Sequence, residues 1–112
     1  MKIYHNPRCS KSRETLKMIQ EKQPGVEIVD YLKNPPSTAE IKNLLQKLNM
    51  KAEELLRKNE DIYKKQFKGK NFNEEEWIQI MSENPKLIER PIVVKGNKAV
   101  LGRPPENVES LL

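Results

Sequence analysis

The sequence predicts an α/β protein with a mixed four-stranded sheet and a helical segment inserted between the sheet's two halves. Three observations carry this. Residues 2–31 read as strand, helix, strand; residues 37–85 carry apolar stripes at helical spacing; and two β-rich runs joined by Gly96-Asn97 precede a short closing helix.

Lys2–His5 is a half-apolar run stopped by Asn6-Pro7, the pattern of a short strand. From Arg13, Glu14-Thr15-Leu16-Lys17-Met18-Ile19-Gln20-Glu21-Lys22 reads as a helix ended by Pro24-Gly25. Val26–Tyr31 is β-branched and aromatic at strand length, which completes a βαβ unit whose crossover requires parallel strands. Pro35-Pro36 breaks the chain, and Ser37-Thr38-Ala39-Glu40 is a capping box. Ile41, Leu44, Leu45 and Leu48 then fall at i, i+3, i+4 and i+7, one buried stripe.

Ala52, Leu55 and Leu56 repeat that spacing in a shorter helix expected to end near Arg57-Lys58-Asn59. Between Asp61 and Phe72 the period weakens while Lys64, Lys65, Lys68 and Lys70 gather around Gly69, which reads as a basic surface loop. Asn73 followed by three glutamates caps another helix, with Trp77, Ile80 and Met81 as its expected buried face and Asn84-Pro85 as its stop. Pro91–Lys95 and Lys98–Leu101 form an antiparallel hairpin across Gly96-Asn97. Pro104-Pro105 opens the closing helix, on which Val108, Leu111 and Leu112 share a face. This order is a thioredoxin-like plan in a single domain over residues 1–112, with the helical insertion at approximately 37–85.

Composition narrows the function classes. At 112 residues the chain has room for one domain, and with 36% hydrophobic and 33% charged residues its core must come from well-patterned elements. No stretch approaches a membrane span, and the opening Met1-Lys2-Ile3-Tyr4-His5 lacks the apolar core of a signal peptide, so a cytoplasmic location is expected. One cysteine and one histidine supply neither an intrachain disulfide nor a structural zinc site, and no metal is expected. The net charge of +5 favours an anionic partner. The lysine run at 64–70 lacks the aromatic interleaving and motif of a nucleic-acid reader, so no nucleic acid is expected.

Cys9 stands at the predicted strand-to-helix junction, where free amides and the positive helix end converge and Arg8, Lys11 and Arg13 add cations. A thiolate is favoured there, and the polar neighbours argue against a packed core cysteine. A thioredoxin-type dithiol would need cysteine at position 12, which is Ser12, and a C-x5-R phosphatase loop would need arginine at position 15, which is Thr15. What remains is a lone nucleophilic thiolate that depends on an outside reductant. Arginine is the residue that grips a tetrahedral oxyanion with two hydrogen bonds at once, and Arg90 and Arg103 stand at strand boundaries beside prolines. Taken alone, each reads first as a solvated surface charge, and Arg57 likewise as a cation at a helix C-terminus. A thioredoxin-like fold implies a cis proline before the third strand, on a loop that faces the cysteine, and Pro91 is the candidate for it. His5 can tune the thiolate or simply hydrogen-bond at a strand end.

Four stretches together resemble the ArsC-type arsenate reductase family over nearly the whole chain: His5-Asn6-Pro7-Arg8-Cys9-Ser10-Lys11-Ser12-Arg13, Leu55-Leu56-Arg57-Lys58-Asn59, Glu89-Arg90-Pro91-Ile92-Val93-Val94 and Gly102-Arg103-Pro104. The resemblance implies a glutathione- and glutaredoxin-coupled oxidoreductase in which Cys9 attacks arsenate. It also implies that Arg57, Arg90 and Arg103 bind the oxyanion, that His5 and Ser12 tune the thiolate, and that Arg13 opens the helix. No bound cofactor is implied; glutathione is a co-substrate and glutaredoxin a partner. Two other readings share the fold. An Spx-type RNA-polymerase-binding regulator is disfavoured because His5, Asn6 and Arg103 are retained. A monothiol glutaredoxin-like thiol transferase is disfavoured because residues 101–104 read Leu-Gly-Arg-Pro, without the glycine pair that helps hold glutathione.

Overall fold

The computed structural model describes residues 1–112, which divide into two compact units, Met1–Asn34 with Arg90–Leu112 and, between them in sequence, Pro35–Glu89. The first unit holds the sheet. Strands β1 (Lys2–His5), β2 (Glu27–Asp30), β3 (Ile92–Lys95) and β4 (Lys98–Leu101) lie in the order β2-β1-β3-β4. β1 and β2 are parallel, with Ile3 opposite Ile28 and His5 opposite Asp30, as the crossover through helix α1 (Ser10–Lys22) requires. The remaining pairs are antiparallel, Ile3 facing Val93 and Val93 facing Val100. Gly96 at φ +61° takes the first central position of the two-residue turn, a left-handed conformation that glycine adopts without the cost a side chain imposes.

The core of this unit is Ile3, Ile19, Val93, Val108 and Leu111, all buried, with Leu16, Val26 and Val100 packed around them. Val108 and Leu111 come from the closing helix, which is a 3-10 helix over Pro105–Leu111. The first helix begins at Ser10, three residues before the expected start at Arg13, so Arg13 lies inside the first turn. The hydropathy pattern conceals this because the inward face of that turn is carried by hydroxyl residues: Ser12 and Thr15 are fully buried in line with Ile19.

The second unit is helical. Helix α2 (Thr38–Leu48) starts at Ser37, whose hydroxyl accepts from the Glu40 amide at 3.1 Å, and buries Ile41, Leu44 and Leu45. Helix α3 (Ala52–Leu55) is one turn long. It stops before Leu56 because that residue leaves the helix to bridge Ile88, with Arg57 N–H donating to the Leu87 carbonyl and Glu89 N–H to that of Leu55. Helix α4 (Glu74–Glu83) has a complete capping box, with Asn73 Oδ1 accepting from the Glu76 amide at 2.8 Å and Glu76 Oε1 from the Asn73 amide at 3.0 Å.

Two expectations are corrected here. The buried face of α4 is Trp77, Ile78 and Met81, and Ile80 is only half-buried, because α4 packs against both α2 and α3 and its inward face turns accordingly. The basic segment is not a plain loop: Tyr63–Phe67 forms a π-helical turn closed by Lys68 N–H on the Tyr63 carbonyl at 2.8 Å. Its lysines point outward, while Tyr63, Phe67 and Phe72 gather on Trp77, with Phe72 edge-on at 4.8 Å between ring centroids. No helix is long and apolar enough to cross a membrane.

Candidate active site

Cys9 is the N-cap residue of α1, in extended backbone at φ −94° and ψ 121°. Its own amide donates to the Asn6 carbonyl at 3.0 Å, and its carbonyl receives the Arg13 amide at 3.0 Å, so the loop and the first helical turn both close on this residue. Asn6 Oδ1 accepts from the Arg8 amide at 3.0 Å, an Asx turn that shapes the approach to the cysteine. The Arg13 guanidinium donates to the Pro7 carbonyl at 2.9 Å, tying helix to loop from outside.

The Cys9 sulfur closes no regular capping hydrogen bond, but the Ser12 and Lys11 amides of the first turn act on it and favour its anion. Burial pushes the Cys9 pKa up, and the Ser12 amide, the hydrogen bond and charge of the Arg90 guanidinium, and the Lys11 amide together outweigh it, leaving the thiol below its ordinary value. These groups all favour the anion. Cys9 itself is partly exposed, so the thiolate is open to attack an outside electrophile.

Behind the cysteine, Ser12 is fully buried and lies 2.7 Å from His5 Nδ1, while its oxygen accepts from the Asn6 amide at 3.1 Å. One hydroxyl satisfies both neighbours if its proton goes to Nδ1, which assigns the imidazole proton to Nε2. A neutral imidazole agrees with a His5 pKa lowered by burial and by the charge of Arg13, against the opposing pull of Asp30. His5 and Ser12 therefore form a neutral buried pair at the end of β1, and Arg13 acts on this pair and on the loop.

Arg90 and Pro91 are joined by a cis peptide, and a second cis bond joins Arg103 to Pro104. Gly102, just before Arg103, is buried, donates its amide to the Pro91 carbonyl at 2.8 Å and accepts from the Thr15 hydroxyl at 2.7 Å. A Cβ on Gly102 would lie 2.6 Å from the Thr15 methyl, 3.1 Å from Pro91 and 3.2 Å from Val108. Only glycine fits there. The Arg103 side chain is exposed, and its carbonyl and that of Leu101 receive the Asn107 amide group.

Arg57 belongs to the inserted unit. Its Nε donates to Glu60 Oε1 at 3.0 Å and its Nη1 lies 3.7 Å from Glu89 Oε1, so any anion that Arg57 takes must share it with two carboxylates. Sequence reasoning singled out neither these glutamates nor the pairing of Thr15 with Gly102. The sequence marks Thr15 as a helix residue standing where a phosphatase loop would have arginine, and Gly102 as the neighbour of Arg103 in a run without a glycine pair.

A family model described as ArsC family matches residues 4–111. The uncharacterized Escherichia coli protein YfgD is 52% identical over 110 residues, covering 96% of this chain and 92% of that protein. A protein named arsenate reductase from Neisseria meningitidis is 40% identical over 114 residues, covering 100% of this chain and 97% of its own length. The solved structure of an arsenate reductase from Vibrio cholerae superposes with a TM-score of 0.94 at 41% identity, covering 100% and 98% of the two chains. With the sheet order, the N-cap cysteine and a match over nearly its full length, the chain belongs to the ArsC family.

Proposed function

We propose that this protein is an arsenate reductase in which Cys9 is the nucleophile. The carrying observation is the Cys9 sulfur itself, held toward the thiolate by the Ser12 and Lys11 amides and by Arg90. Relatives named arsenate reductase, at 40% identity over the whole chain, support the substrate.

The thiolate attacks arsenic, an S–As bond forms, and an arsenate oxygen leaves as water after protonation. Arg90 and Arg103 supply guanidinium groups for the remaining oxygens; the role of Arg103, and that of Arg57 as a further oxyanion-binding residue, rest on the family resemblance. Because the chain has one cysteine, the electrons must come from other thiols. Glutathione displaces a second oxygen to form an As–S bond, and a glutaredoxin thiolate then takes the glutathione sulfur into a mixed disulfide. The electron pair of the broken As–S bond stays on arsenic, which falls from the pentavalent to the trivalent state. Water releases arsenite and returns Cys9 as the thiol. This chemistry suits a reducing, glutathione-bearing compartment such as the cytoplasm.

The test follows NADPH loss on arsenate with glutathione, glutaredoxin and glutathione reductase present. Turnover is expected for the wild type and none above background for Cys9→Ser. Equal rates for the two proteins, or no turnover by the wild type, would overturn the assignment.

A further inference from the structure

We propose that Thr15 is a positioning residue that sets Arg103 relative to Cys9, an inference that rests on the reading of Arg103 as an oxyanion ligand. Thr15 sits on the second turn of the helix that Cys9 caps, and it is fully buried. Its hydroxyl has two carbonyls in reach, Lys11 at 2.9 Å and Gly102 at 2.7 Å. With one proton to give, it serves Gly102 at the shorter distance and across the longer stretch of chain.

Gly102 is held from the other side as well, its amide on Pro91, and its missing Cβ lets the strand end settle directly on the Thr15 methyl. The next residue is Arg103, whose carbonyl is held by Asn107. The backbone that carries the Arg103 guanidinium is thus bolted to the helix that carries the Cys9 sulfur, and the bolt is one hydroxyl. The groups that act on the thiol are the Ser12 and Lys11 amides and Arg90, and Thr15 meets Lys11 only at its carbonyl, so the threonine controls where the arginine stands and leaves the nucleophile's ionisation alone.

Substituting Thr15→Val keeps the shape and removes the hydrogen bond, leaving the Gly102 carbonyl buried without its partner. The expected result is a KM for arsenate raised roughly fivefold in the coupled assay, the scale of a lost buried hydrogen bond. The Cys9 thiolate titration, followed by absorbance near 240 nm, should not move. Thr15→Ser should restore KM to within about twofold, since it keeps the hydroxyl. In an Arg103→Ala background, Thr15→Val should raise KM no further, because the two act as one unit.

A raised KM in Thr15→Ser, multiplying effects of Thr15→Val and Arg103→Ala, or a shifted Cys9 titration would each overturn the proposal. So would an unchanged KM in Thr15→Val beside a raised one in Arg103→Ala, which leaves the arginine's role intact. If Arg103→Ala itself leaves KM unchanged, the reading of Arg103 falls and the proposal with it. Should Thr15→Val fold poorly, Asn107→Ala, which frees the Arg103 carbonyl from outside the core, is expected to raise KM with the same indifference of the thiol titration, and an unchanged KM would count against the proposal.

Discussion

Replacing Gly102 with alanine tests the packing that brings the end of β4 onto α1. The backbone there is not in the left-handed region, so the cost is one of space alone. Carbon atoms in contact sit roughly 3.5–4.0 Å apart, so the new Cβ at 2.6 Å from the Thr15 methyl falls about 1 Å too close. Pro91 at 3.1 Å and Val108 at 3.2 Å close the other directions. Thr15 cannot swing aside without breaking its hydrogen bond to Gly102, and Val108 belongs to the core. Overpacking of this kind costs about 1–3 kcal/mol. For a domain of this size each kcal/mol lowers Tm by roughly 4–8 °C. Urea unfolding of Gly102→Ala should therefore show a lower midpoint at unchanged slope. Gly25 has no atom within 4 Å of its would-be Cβ and no positive φ, so Gly25→Ala is the control and should be neutral or stabilising by up to about 1 kcal/mol. A Gly102→Ala protein within about 0.5 kcal/mol of wild type would refute the close-packing account, since surface substitutions move stability by that much.

Three further outcomes follow from the site. Cys9 should alkylate with iodoacetamide faster than free glutathione at neutral pH, with an inflection below that of an ordinary thiol, and Arg90→Gln should move the inflection upward; an inflection at or above that of glutathione would contradict the geometry. Since the folded pKa is depressed, the stability that Cys9 contributes is present above its unfolded pKa and lost as pH falls through the folded one, so Cys9→Ser should flatten that part of the pH–stability curve. Ser12→Ala strands the Asn6 amide and His5 Nδ1 in a fully buried place and should destabilise by about 1–3 kcal/mol, measured by thermal unfolding, while a neutral result would mean that neither group depends on the hydroxyl.

The elements that were legible in the sequence are those with local causes. β1 ends where Asn6-Pro7 punctuates the chain and α1 ends just before Pro24-Gly25, Gly96 supplies its turn, and Ser37 and Asn73 cap the helices they precede. Where the chain departs from expectation, a tertiary contact has overruled the local pattern. The start of α1 was hidden because its inner face is made of Ser12 and Thr15, whose hydroxyls are satisfied by His5, Asn6 and Gly102 and not by an apolar stripe. The π-helical turn at Tyr63–Phe67 has no regular period, and its form comes from aromatic rings spaced along the chain that collect on Trp77. Helix α3 ends at Leu55 because the strand-like bridge between Leu56 and Ile88 takes the next residue away.

By itself the sequence determined the α/β plan, the lone cysteine at a strand-to-helix junction, and the need for an outside thiol. Each follows from residues adjacent in the chain or from a count. Only the tertiary structure decided which groups act on that cysteine: Arg90 reaches its sulfur, whereas Arg8 lies on the neighbouring exposed loop and Arg13 turns to Pro7 and the His5–Ser12 pair. It also decided that Thr15 and Gly102, 87 positions apart, meet in one hydrogen bond. Long-range pairs of this kind leave no period and no motif in the sequence, because they are fixed by how the sheet and helix pack and not by the order of neighbours along the chain.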